Sequence, residues 1–417
     1  MNKGIIDRTA DGMTPDFASP RLKVGRGDLR RRNRWLLLHL IQTHGPSSQA
    51  GLARRSGLSP ATVSAILQPL IENRTLVEEG KAQSGIGRKA SILAFNPRSI
   101  LIAGVSIEQE ECEVALVDLS ARVLDHVTAE YPRYTEPREV ADLAVARIRA
   151  MLRSNRIDSR ALAGIGVAIP GLVDSDSGLV CVATNLGWRN VQLRALFEQK
   201  TQLPASVEHL GRAKARAQAV WGQGAGHRNF VCLEIGSGIG AGVVADGRIL
   251  IGAGAFAGEV GHTVLDPSGP RCACGLDGCW ETFCASPAIR RRIGEHLASD
   301  AGTGSTLTPG SSVAELGRAA GQGDPVARRV VAETARHLAR GLVNVIWNFD
   351  PEVVILSGSV VRNCPSLIEA TQAGLAKLEA ARSFNVPLVA ASHESDASVI
   401  AASAVVSFRR VEELANG

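Results

Sequence analysis

The sequence lacks any long apolar run. No stretch of the 417 residues approaches the ~18 uninterrupted apolar residues of a membrane helix, and the most apolar run, near Trp35, is broken by His39. The first twenty residues lack the apolar core of a secretory signal. Hydrophobic residues make up 45% and charged residues 21%, which excludes wholesale disorder. We therefore expect a globular cytoplasmic protein with no membrane partner and, at roughly 150 residues per domain, with more than one domain.

A strong excess of one charge sign is missing from the chain as a whole, which carries a net +5. Its distribution is uneven: residues 1–97 hold 15 Lys and Arg against 7 Asp and Glu, a net +8, and the rest holds 31 against 34, a net −3. A basic head on a slightly acidic body favours a polyanion partner for the head alone. A solvated tail would have the same charge, so the pattern of residues has to decide between a polyanion-binding head and such a tail.

Cysteines spaced as in a disulfide framework are also missing. Half of the eight cysteines are scattered singly, as buried thiols usually are: Cys112, Cys181, Cys232 and Cys364. The other half falls within thirteen residues: Cys272, Cys274, Cys279 and Cys284. In a reducing cytosol, such crowding favours a metal site over crosslinks.

The basic head has the order of elements of a helix-turn-helix. A basic and then apolar run predicts a first helix over residues 28–43, and a short second helix follows over residues 50–56. A third helix begins at Ser59-Pro60, because serine is a good N-cap and proline presets the backbone of the first turn. The predicted shared core consists of Leu52, Ala53, Leu58, Val63 and Ile66.

The third helix and a basic hairpin after it are the predicted DNA contacts. The helix turns small side chains outward at its start, where they can approach base edges in the major groove: Ser59, Ala61, Thr62 and Ser64. Two strands, 76–79 and 91–95, enclose a glycine-rich wing whose Arg88 and Lys89 can follow the phosphate backbone. We interpret residues 28–97 as a winged helix-turn-helix that binds double-stranded DNA, preceded by a flexible arm over residues 1–27. The alternative is a plain helical domain.

After residue 97, short β-branched runs alternate with long helical stretches. The predicted strands are 101–105, 113–119, 123–128, 164–168, 230–235, 240–245 and 353–356, and the predicted long helices are 139–152 and 324–348. This alternation predicts an α/β architecture over residues 98–417, with two lobes and a cleft between them.

Two segments of the body carry a family resemblance. Residues 258–262 read Gly-Glu-Val-Gly-His, and residues 272–281 read Cys-Ala-Cys-Gly-Leu-Asp-Gly-Cys-Trp-Glu. Supporting stretches lie at 164–171, 185–188 and 236–240. Together they resemble the ROK family of repressors and sugar kinases, and the winged helix marks its branch of transcriptional regulators. The resemblance implies a two-lobed actin-like, sugar-kinase (ribonuclease H-like) ATPase-type fold.

The cysteine cluster has the spacing of a zinc site. Cys272, Cys274 and Cys279 lie close enough for one loop to wrap a tetrahedral ion, glycines at 275 and 278 allow tight turns, and His262 can supply the fourth ligand. A closed set of four ligands predicts structural Zn²⁺ without a catalytic role, and the resemblance implies zinc at the same four residues. Reduced thiols are the alternative. Cys284 lies outside the pattern.

The resemblance also implies an effector site next to the zinc. In sugar-binding members, residues that correspond to Glu259, His262 and Glu281 grip hydroxyl groups, a task that suits charged acceptors. His262 would ligate zinc through one ring nitrogen and face the sugar with the other. His209 stands where the family has asparagine and is a further candidate contact to a sugar or phosphosugar. Alternatively, the two glutamates only brace the zinc loop and His209 is merely packed.

Two departures from the family pattern concern phosphate transfer. Leu210 stands where kinases of the family carry the aspartate that takes the proton of the sugar hydroxyl, and leucine cannot accept a proton. The first phosphate loop is replaced by Glu108-Gln109-Glu110-Glu111, whose three carboxylates would repel ATP. We therefore predict no enzymatic activity and no catalytic residues.

These features together predict a ligand-responsive transcriptional regulator, a repressor of carbohydrate-related genes with a catalytically dead sugar-kinase-like sensor. It would bind operator DNA as a homodimer or homotetramer, because a two-fold dimer reads two half-sites. One alternative is an ATP-dependent sugar kinase that keeps a DNA-binding head. Another is a ligand-independent regulator that a docking protein controls.

Overall fold

The computed structural model describes residues 26–81, 91–97, 100–299, 304–378, 385–392 and 397–416. Within them a head of three helices and a small sheet precedes two α/β lobes, and the last helix returns to the first lobe. No helix among these residues combines the length and the apolar composition that crossing a bilayer requires.

The head is a winged helix-turn-helix. Its elements are α1 (Arg26–His44), β1 (Ser47–Ser48), α2 (Gln49–Ser56), α3 (Pro60–Glu72), β2 (Leu76–Lys81) and β3 (Ser91–Phe95). The strands form an antiparallel sheet in the order β1-β3-β2. The three predicted helices are confirmed to within one or two residues, although α1 begins inside the predicted arm. The tip of the wing, with Arg88 and Lys89, lies outside the described residues.

Local sequence signals set the turn of the motif. Gly57 ends α2 in the left-handed conformation, at φ +70°. The Ser59 hydroxyl accepts a hydrogen bond from the backbone N–H of Thr62 at 3.2 Å, so Ser59 caps α3 and Pro60 begins it, as predicted. Of the predicted core residues, only Leu58 is half-buried, at the edge of the cluster; Leu52, Ala53, Val63 and Ile66 are buried.

The first lobe is built on a mixed five-stranded sheet. Its strands and helices are β4 (Leu101–Ile107), β5 (Glu111–Asp118), β6 (Val123–Glu130), α4 (Pro137–Ser154), β7 (Leu162–Ile169), β8 (Leu172–Asp174), β9 (Leu179–Ala183), β10 (Trp188–Gln192), α5 (Leu193–Thr201) and β11 (Ala205–His209). The main sheet has the order β11-β7-β4-β5-β6, and β8, β9 and β10 form a separate small sheet. Helix α6 (Leu210–Trp221) then leads directly from β11 to the second lobe.

The second lobe repeats the design with a sheet in the order β14-β13-β12-β15-β16. Its elements are β12 (Phe230–Ile235), β13 (Ile239–Ala245), β14 (Arg248–Ile249), α7 (Glu281–Cys284), α8 (Ser286–Ser299), α9 (Val313–Gly321), α10 (Pro325–Phe349), β15 (Val353–Ser357), α11 (Ser359–Asn363), α12 (Ser366–Ala376) and β16 (Leu388–Ala390). The long helix α10 supplies much of the buried core. The predicted α/β class and the predicted strands of both sheets are confirmed, with shifts of at most two residues at their ends.

The final helix α13 (Ala397–Asn416) connects the first lobe to the head. It lies directly on the sheet, since a Cβ at Gly166 would be 1.9 Å from the Ala402 carbonyl oxygen and one at Gly104 would be 2.3 Å from that of Val399. Farther along, Val406 and Val411 of α13 are buried in the same apolar cluster as the helices of the head.

Candidate functional site

The predicted metal ligands come together in one small cluster. One ligand atom from each of His262, Cys272, Cys274 and Cys279 lies within 4.8 Å of the others. The closest pairs are Cys274 Sγ with Cys279 Sγ, and Cys272 Sγ with His262 Nδ1, each at 3.5 Å. A tetrahedral ion with Zn–S bonds of about 2.3 Å places its sulfur ligands roughly 3.8 Å apart. The cluster therefore has the donors and the size to hold a metal ion.

The loop that carries the cysteines is shaped by its glycines. Gly275 and Gly278 have φ values of +98° and +70°, as the predicted tight turns require. A Cβ at Gly278 would also lie 1.5 Å from the Asp266 carbonyl oxygen, so no side chain fits there. The backbone bridge between Val264 and Cys279 closes the loop and brings the last cysteine back to His262.

The three thiols differ in their readiness to ionise. The backbone N–H of Leu276 lowers the pKa of Cys274, which is exposed, while burial raises the pKa of Cys272 and of Cys279. A metal ion favours the thiolate form, because the thiolate is the species that ligates. All eight cysteines are free thiols, so no disulfide competes for these ligands.

The four predicted effector residues lie close together, beside the cysteine cluster. Glu259 is central: one carboxylate oxygen lies 3.9 Å from His209 Nε2 and the other lies 4.0 Å from His262 Nε2. The opposite ring nitrogen of His262, Nδ1, faces Cys272 and Glu281. The two nitrogens of His262 thus point to the two places that the sequence analysis assigned them. Glu281 also accepts a hydrogen bond from Cys272 Sγ at 3.1 Å, so it contacts a predicted metal ligand as well as being a predicted effector residue.

His209 is buried and lacks a partner on one side. It ends β11 in the first lobe and is 8% exposed, and its ring packs against Gly211 and Gly240. Burial, followed by the nearby Arg212, lowers the pKa of His209 to about 4, so the ring is neutral at pH 7. Its Nδ1 atom has no hydrogen-bond partner among the described residues. A buried polar atom of this kind is normally satisfied by water or by a ligand.

A buried ion pair under the cleft was not predicted. The Arg212 guanidinium donates to the Glu208 carboxylate at 2.7 Å, and both side chains are at most 2% exposed. Arg212 also donates to the carbonyl of Val173 in the first lobe, at 2.8 Å, and to that of Ala255 in the second lobe, at 3.1 Å. It therefore ties the two lobes together next to Glu259. Glu208 lies in β11 and Arg212 in α6, so no helical spacing in the sequence indicated this pair.

Leu210, which the sequence analysis predicted to stand in place of a catalytic aspartate, lies in apolar surroundings. Leu210 is the first residue of α6, is 6% exposed, and packs with Ala213 and Ala168 in a small buried cluster. No carboxylate takes its place at this turn of α6, because the side chain of the preceding Glu208 is held by Arg212 and by the Ser175 hydroxyl.

A second unpredicted ion pair lies beside two glycine-containing loops of the second lobe, at Gly236 and at Gly358. Lys214 Nζ of α6 lies 2.6 Å from a carboxylate oxygen of Glu234, the residue before the end of β12. The other Glu234 oxygen fills the space over Gly358, where a Cβ would approach it to 2.6 Å. The same oxygen would lie 3.5 Å from a Cβ at Gly236. The Glu234 side chain therefore occupies space next to both loops.

The acidic segment that replaces the first phosphate loop lines a cavity of about 770 Å³. Glu108, Glu110, Glu111 and Glu130 line it, and Arg133 is its single basic lining residue. Burial raises the pKa of Glu108 to about 7; Lys214 opposes the shift and Glu234 adds to it. The cavity is a poor place for a polyphosphate, because most of its charges are negative.

The predicted DNA-contact residues lie at the start of α3. Ser59 and Ala61 are exposed, and Thr62 and Ser64 are half-buried. Ser59 and Thr62 also share a hydrogen bond between their hydroxyls at 2.8 Å, so both take part in the helix cap. Arg54 and Arg55, which the sequence analysis did not single out, are exposed in the last turn of α2 and add positive charge to the head.

Comparison with known proteins agrees with this architecture. Residues 102–408 match the ROK family, and residues 30–74 match a winged helix-turn-helix DNA-binding family. The chain is 28% identical to the xylose repressor of Bacillus subtilis (strain 168) over 82% of this chain and 86% of the relative. It is 29% identical to the DNA-binding transcriptional dual regulator NagC of Escherichia coli (strain K12) over 90% of this chain and 92% of that relative.

Solved structures include both a regulator and a kinase. A ROK family transcriptional regulator, a homologue of the E. coli MLC protein, superposes with a TM-score of 0.75 at 26% identity and covers 93% of this chain and 98% of its own. A ROK family glucokinase from Streptomyces griseus, in complex with glucose and AMPPNP, superposes with a TM-score of 0.63 at 28% identity. The match covers 73% of this chain and 98% of the glucokinase chain. The glucokinase thus covers a smaller share of this chain than the regulator does.

The fold and the site define a DNA-binding head joined to a two-lobed sugar-kinase-like body. The chain belongs to the ROK family, in its branch of transcriptional regulators with an N-terminal winged helix-turn-helix. The family assignment that the sequence motifs indicated is confirmed.

Proposed function

We propose that the protein is a sugar-responsive, DNA-binding transcriptional repressor of carbohydrate-related genes, in which a kinase-like body serves as the sensor. The observation that carries this proposal is the winged helix-turn-helix joined to the ROK body in one chain, together with similarity to repressors over most of its length. The proposal includes a cytoplasmic location and the division into an arm (1–27), a head (28–97) and a body (98–417).

In this proposal, the cysteine cluster holds a structural zinc ion. Three sulfurs and one imidazole nitrogen are the donor set that Zn²⁺ prefers, and four protein ligands leave no open position for a substrate. The ion would stiffen the loop between Val264 and Glu281, which carries one effector contact at its end. Its task is therefore to position residues of the sensor.

The effector is proposed to be a sugar or phosphosugar bound between the lobes by Glu259, Glu281, His262 Nε2 and His209. The carboxylates accept hydrogen bonds from hydroxyl groups, and neutral His209 can donate or accept according to its tautomer. The unpartnered Nδ1 of His209 supports a polar ligand at this place. Because His209 belongs to the first lobe and Glu259 to the second, a ligand that contacts both would bias the angle between the lobes.

Phosphate transfer is proposed to be lost. Leu210 offers no proton acceptor, the Glu234 carboxylate fills space beside Gly236 and Gly358, and acidic residues line the neighbouring cavity. Release of ADP from ATP in the presence of a hexose, measured in a coupled assay, would contradict this part of the proposal. DNA binding does not depend on it.

The head would read an operator through the start of α3, with Ser59, Ala61, Thr62 and Ser64 toward the major groove and Arg88 and Lys89 of the wing along the backbone. A homodimer or homotetramer would place two heads on two half-sites about one helical turn, or a multiple of it, apart. Ligand binding could then control affinity, because a change in lobe angle alters the separation of the heads.

Operator binding tests the proposal directly. DNA fragments from the gene's own genomic neighbourhood are titrated with the full-length protein at low salt, with and without a panel of sugars and phosphosugars. We expect one fragment to bind, and one ligand to change its affinity. Absence of binding to every fragment contradicts the proposal.

A matched pair of variants locates the DNA-contact face. Ala61→Glu places a carboxylate in the first turn of α3, where the helix dipole tolerates it but DNA phosphate does not, so affinity should fall at least about tenfold. Gln68→Glu adds the same charge at an exposed position nearer the other end of the helix and should change affinity little. Equal losses in the two variants would place the DNA on another face.

A second pair of measurements separates effector binding from support of the zinc loop. In Glu259→Gln, we expect full zinc content with loss of the thermal stabilisation that the effector sugar confers on the wild type. Loss of zinc in this variant would instead mean that Glu259 braces the metal loop.

A further inference from the structure

A cavity of about 310 Å³ lies where the head meets the last helix of the body. From the head, Arg34 of α1, Leu70 of α3 and Asn73 line it, and from the body Arg410, Glu413 and Leu414 of α13 do so. At roughly 30 Å³ per water molecule, this space would hold about ten waters. It shares no lining residue with the metal cluster, the effector cleft or the proposed DNA face.

The polar groups around this cavity are donors with few acceptors. The buried Nε atom of Arg34 has no hydrogen-bond partner, and this side chain makes no ion pair with any described residue. The buried Nε atom of Arg410 also lacks a partner. Asn73 uses its side-chain oxygen to accept from the Thr75 backbone at 3.0 Å, which leaves its amide nitrogen available as a third donor.

Positive charge exceeds negative charge at the same place. Glu413 is the acidic lining residue, and its two carboxylate oxygens already contact Arg410 at 2.9 Å and Arg409 at 3.4 Å. One carboxylate therefore already contacts two guanidinium groups, and the Arg34 guanidinium lines the same cavity without an ion pair. An oxyanion in this cavity would add acceptors to a site whose lining has more donors than acceptors.

We propose that this junction binds a small tetrahedral oxyanion, either inorganic phosphate or the phosphate group of a small phosphate monoester. Guanidinium groups bind phosphate oxygens in a forked geometry, and the Asn73 amide adds a neutral donor. Arg34 belongs to the head and Arg410 to the body, so the anion joins the two. The junction is thus a second ligand site, and its occupancy sets how firmly the head is held on α13.

Thermal unfolding of the full-length protein tests the site without any DNA. The probe is sodium phosphate at about 20 mM, compared with sodium chloride at equal ionic strength. For a Kd of about 1 mM, phosphate should raise the Tm of the wild type by about 2 °C. A parallel series with glycerol 3-phosphate distinguishes the two ligand sources. If the site prefers a phosphate monoester, glycerol 3-phosphate should raise the Tm more than phosphate does. If it prefers free phosphate, the order should be reversed.

The variants remove the two sides of the site in turn. Arg34→Gln and Arg410→Gln should each abolish the rise, whereas Arg30→Gln, an exposed arginine on the same helix outside the cavity, should keep it in full. Without phosphate, Arg34→Gln should be at least as stable as the wild type, since it removes a guanidinium that has no partner. The proposal is overturned if phosphate does not stabilise the wild type, or if either cavity variant responds as the wild type does.

Discussion

The side-chain amide of Gln42 donates a hydrogen bond to the Ser407 hydroxyl at 2.6 Å, across 365 positions of sequence. Gln42 lies in α1 of the head and Ser407 in α13, and both are at most 2% exposed. Because α13 also lies directly on the sheet of the first lobe, this contact joins the head to the element most closely packed on the sensor. A change in the lobe can reach the head by this route.

We expect the Gln42–Ser407 bond to contribute modestly to stability. Gln42→Met or Ser407→Ala alone should lower the free energy of unfolding by about 1 kcal/mol, because each leaves a buried polar partner unpaired. The double variant should lose less than the sum of the two, since both partners are then apolar. Urea unfolding measures this, with Gln68→Met on the exposed face of α3 as a control. Strictly additive losses would mean that the contact carries no coupling.

Removal of the metal should loosen the effector site before it unfolds the protein. We expect one zinc per chain by metal analysis, and its loss in Cys279→Ser, because Cys279 is fully buried within the cluster. Chelation should lower the Tm and abolish stabilisation by the effector sugar. Cys181→Ser, at a half-buried thiol away from the cluster, should keep its zinc. A protein that binds no zinc, or that keeps it in Cys279→Ser, would contradict the assignment.

The Lys214–Glu234 pair should behave as a buried ion pair. Lys214→Met leaves the Glu234 carboxylate without its cation and should lower the free energy of unfolding by about 3 kcal/mol. The double variant Lys214→Met/Glu234→Leu removes both charges and should recover most of that loss, to within about 1 kcal/mol of the wild type. Urea unfolding of the wild type, Lys214→Met and the double variant provides the test. A double variant as unstable as Lys214→Met would show that the carboxylate is not the source of the loss.

The half-buried Glu108 should make stability depend on pH near neutrality. Its pKa in the folded protein is raised to about 7, so the folded state holds a proton that the unfolded chain releases near pH 4.5. The stabilisation from this proton is complete below pH 4.5 and is lost as the pH rises through 7. Relative to the wild type, Glu108→Gln should gain on the order of 2–3 kcal/mol in the free energy of unfolding between pH 4.5 and 7.5. A pH-independent difference between the two proteins would contradict this.

Features that depend on residues close together in sequence could be predicted from the sequence alone. Ser59-Pro60 predicted the start of α3, because capping acts within one turn. The metal cluster could likewise be predicted, since Cys272, Cys274 and Cys279 lie on one short loop and only His262 comes from outside it. The alternation of strands and helices indicated the α/β class, but not the small sheet of β8, β9 and β10, whose short strands carry little periodicity.

By itself, then, the sequence determined the winged head, the family of the body and the cluster of residues that could hold a metal ion, because each rests on local spacing. Only the tertiary structure decided which distant charges meet. Lys214 with Glu234, Arg212 between the lobes, and Arg34 opposite Arg410 are pairs or clusters that no spacing predicts. Their energies come from burial and from the low dielectric of the interior, and burial exists only once the chain has folded.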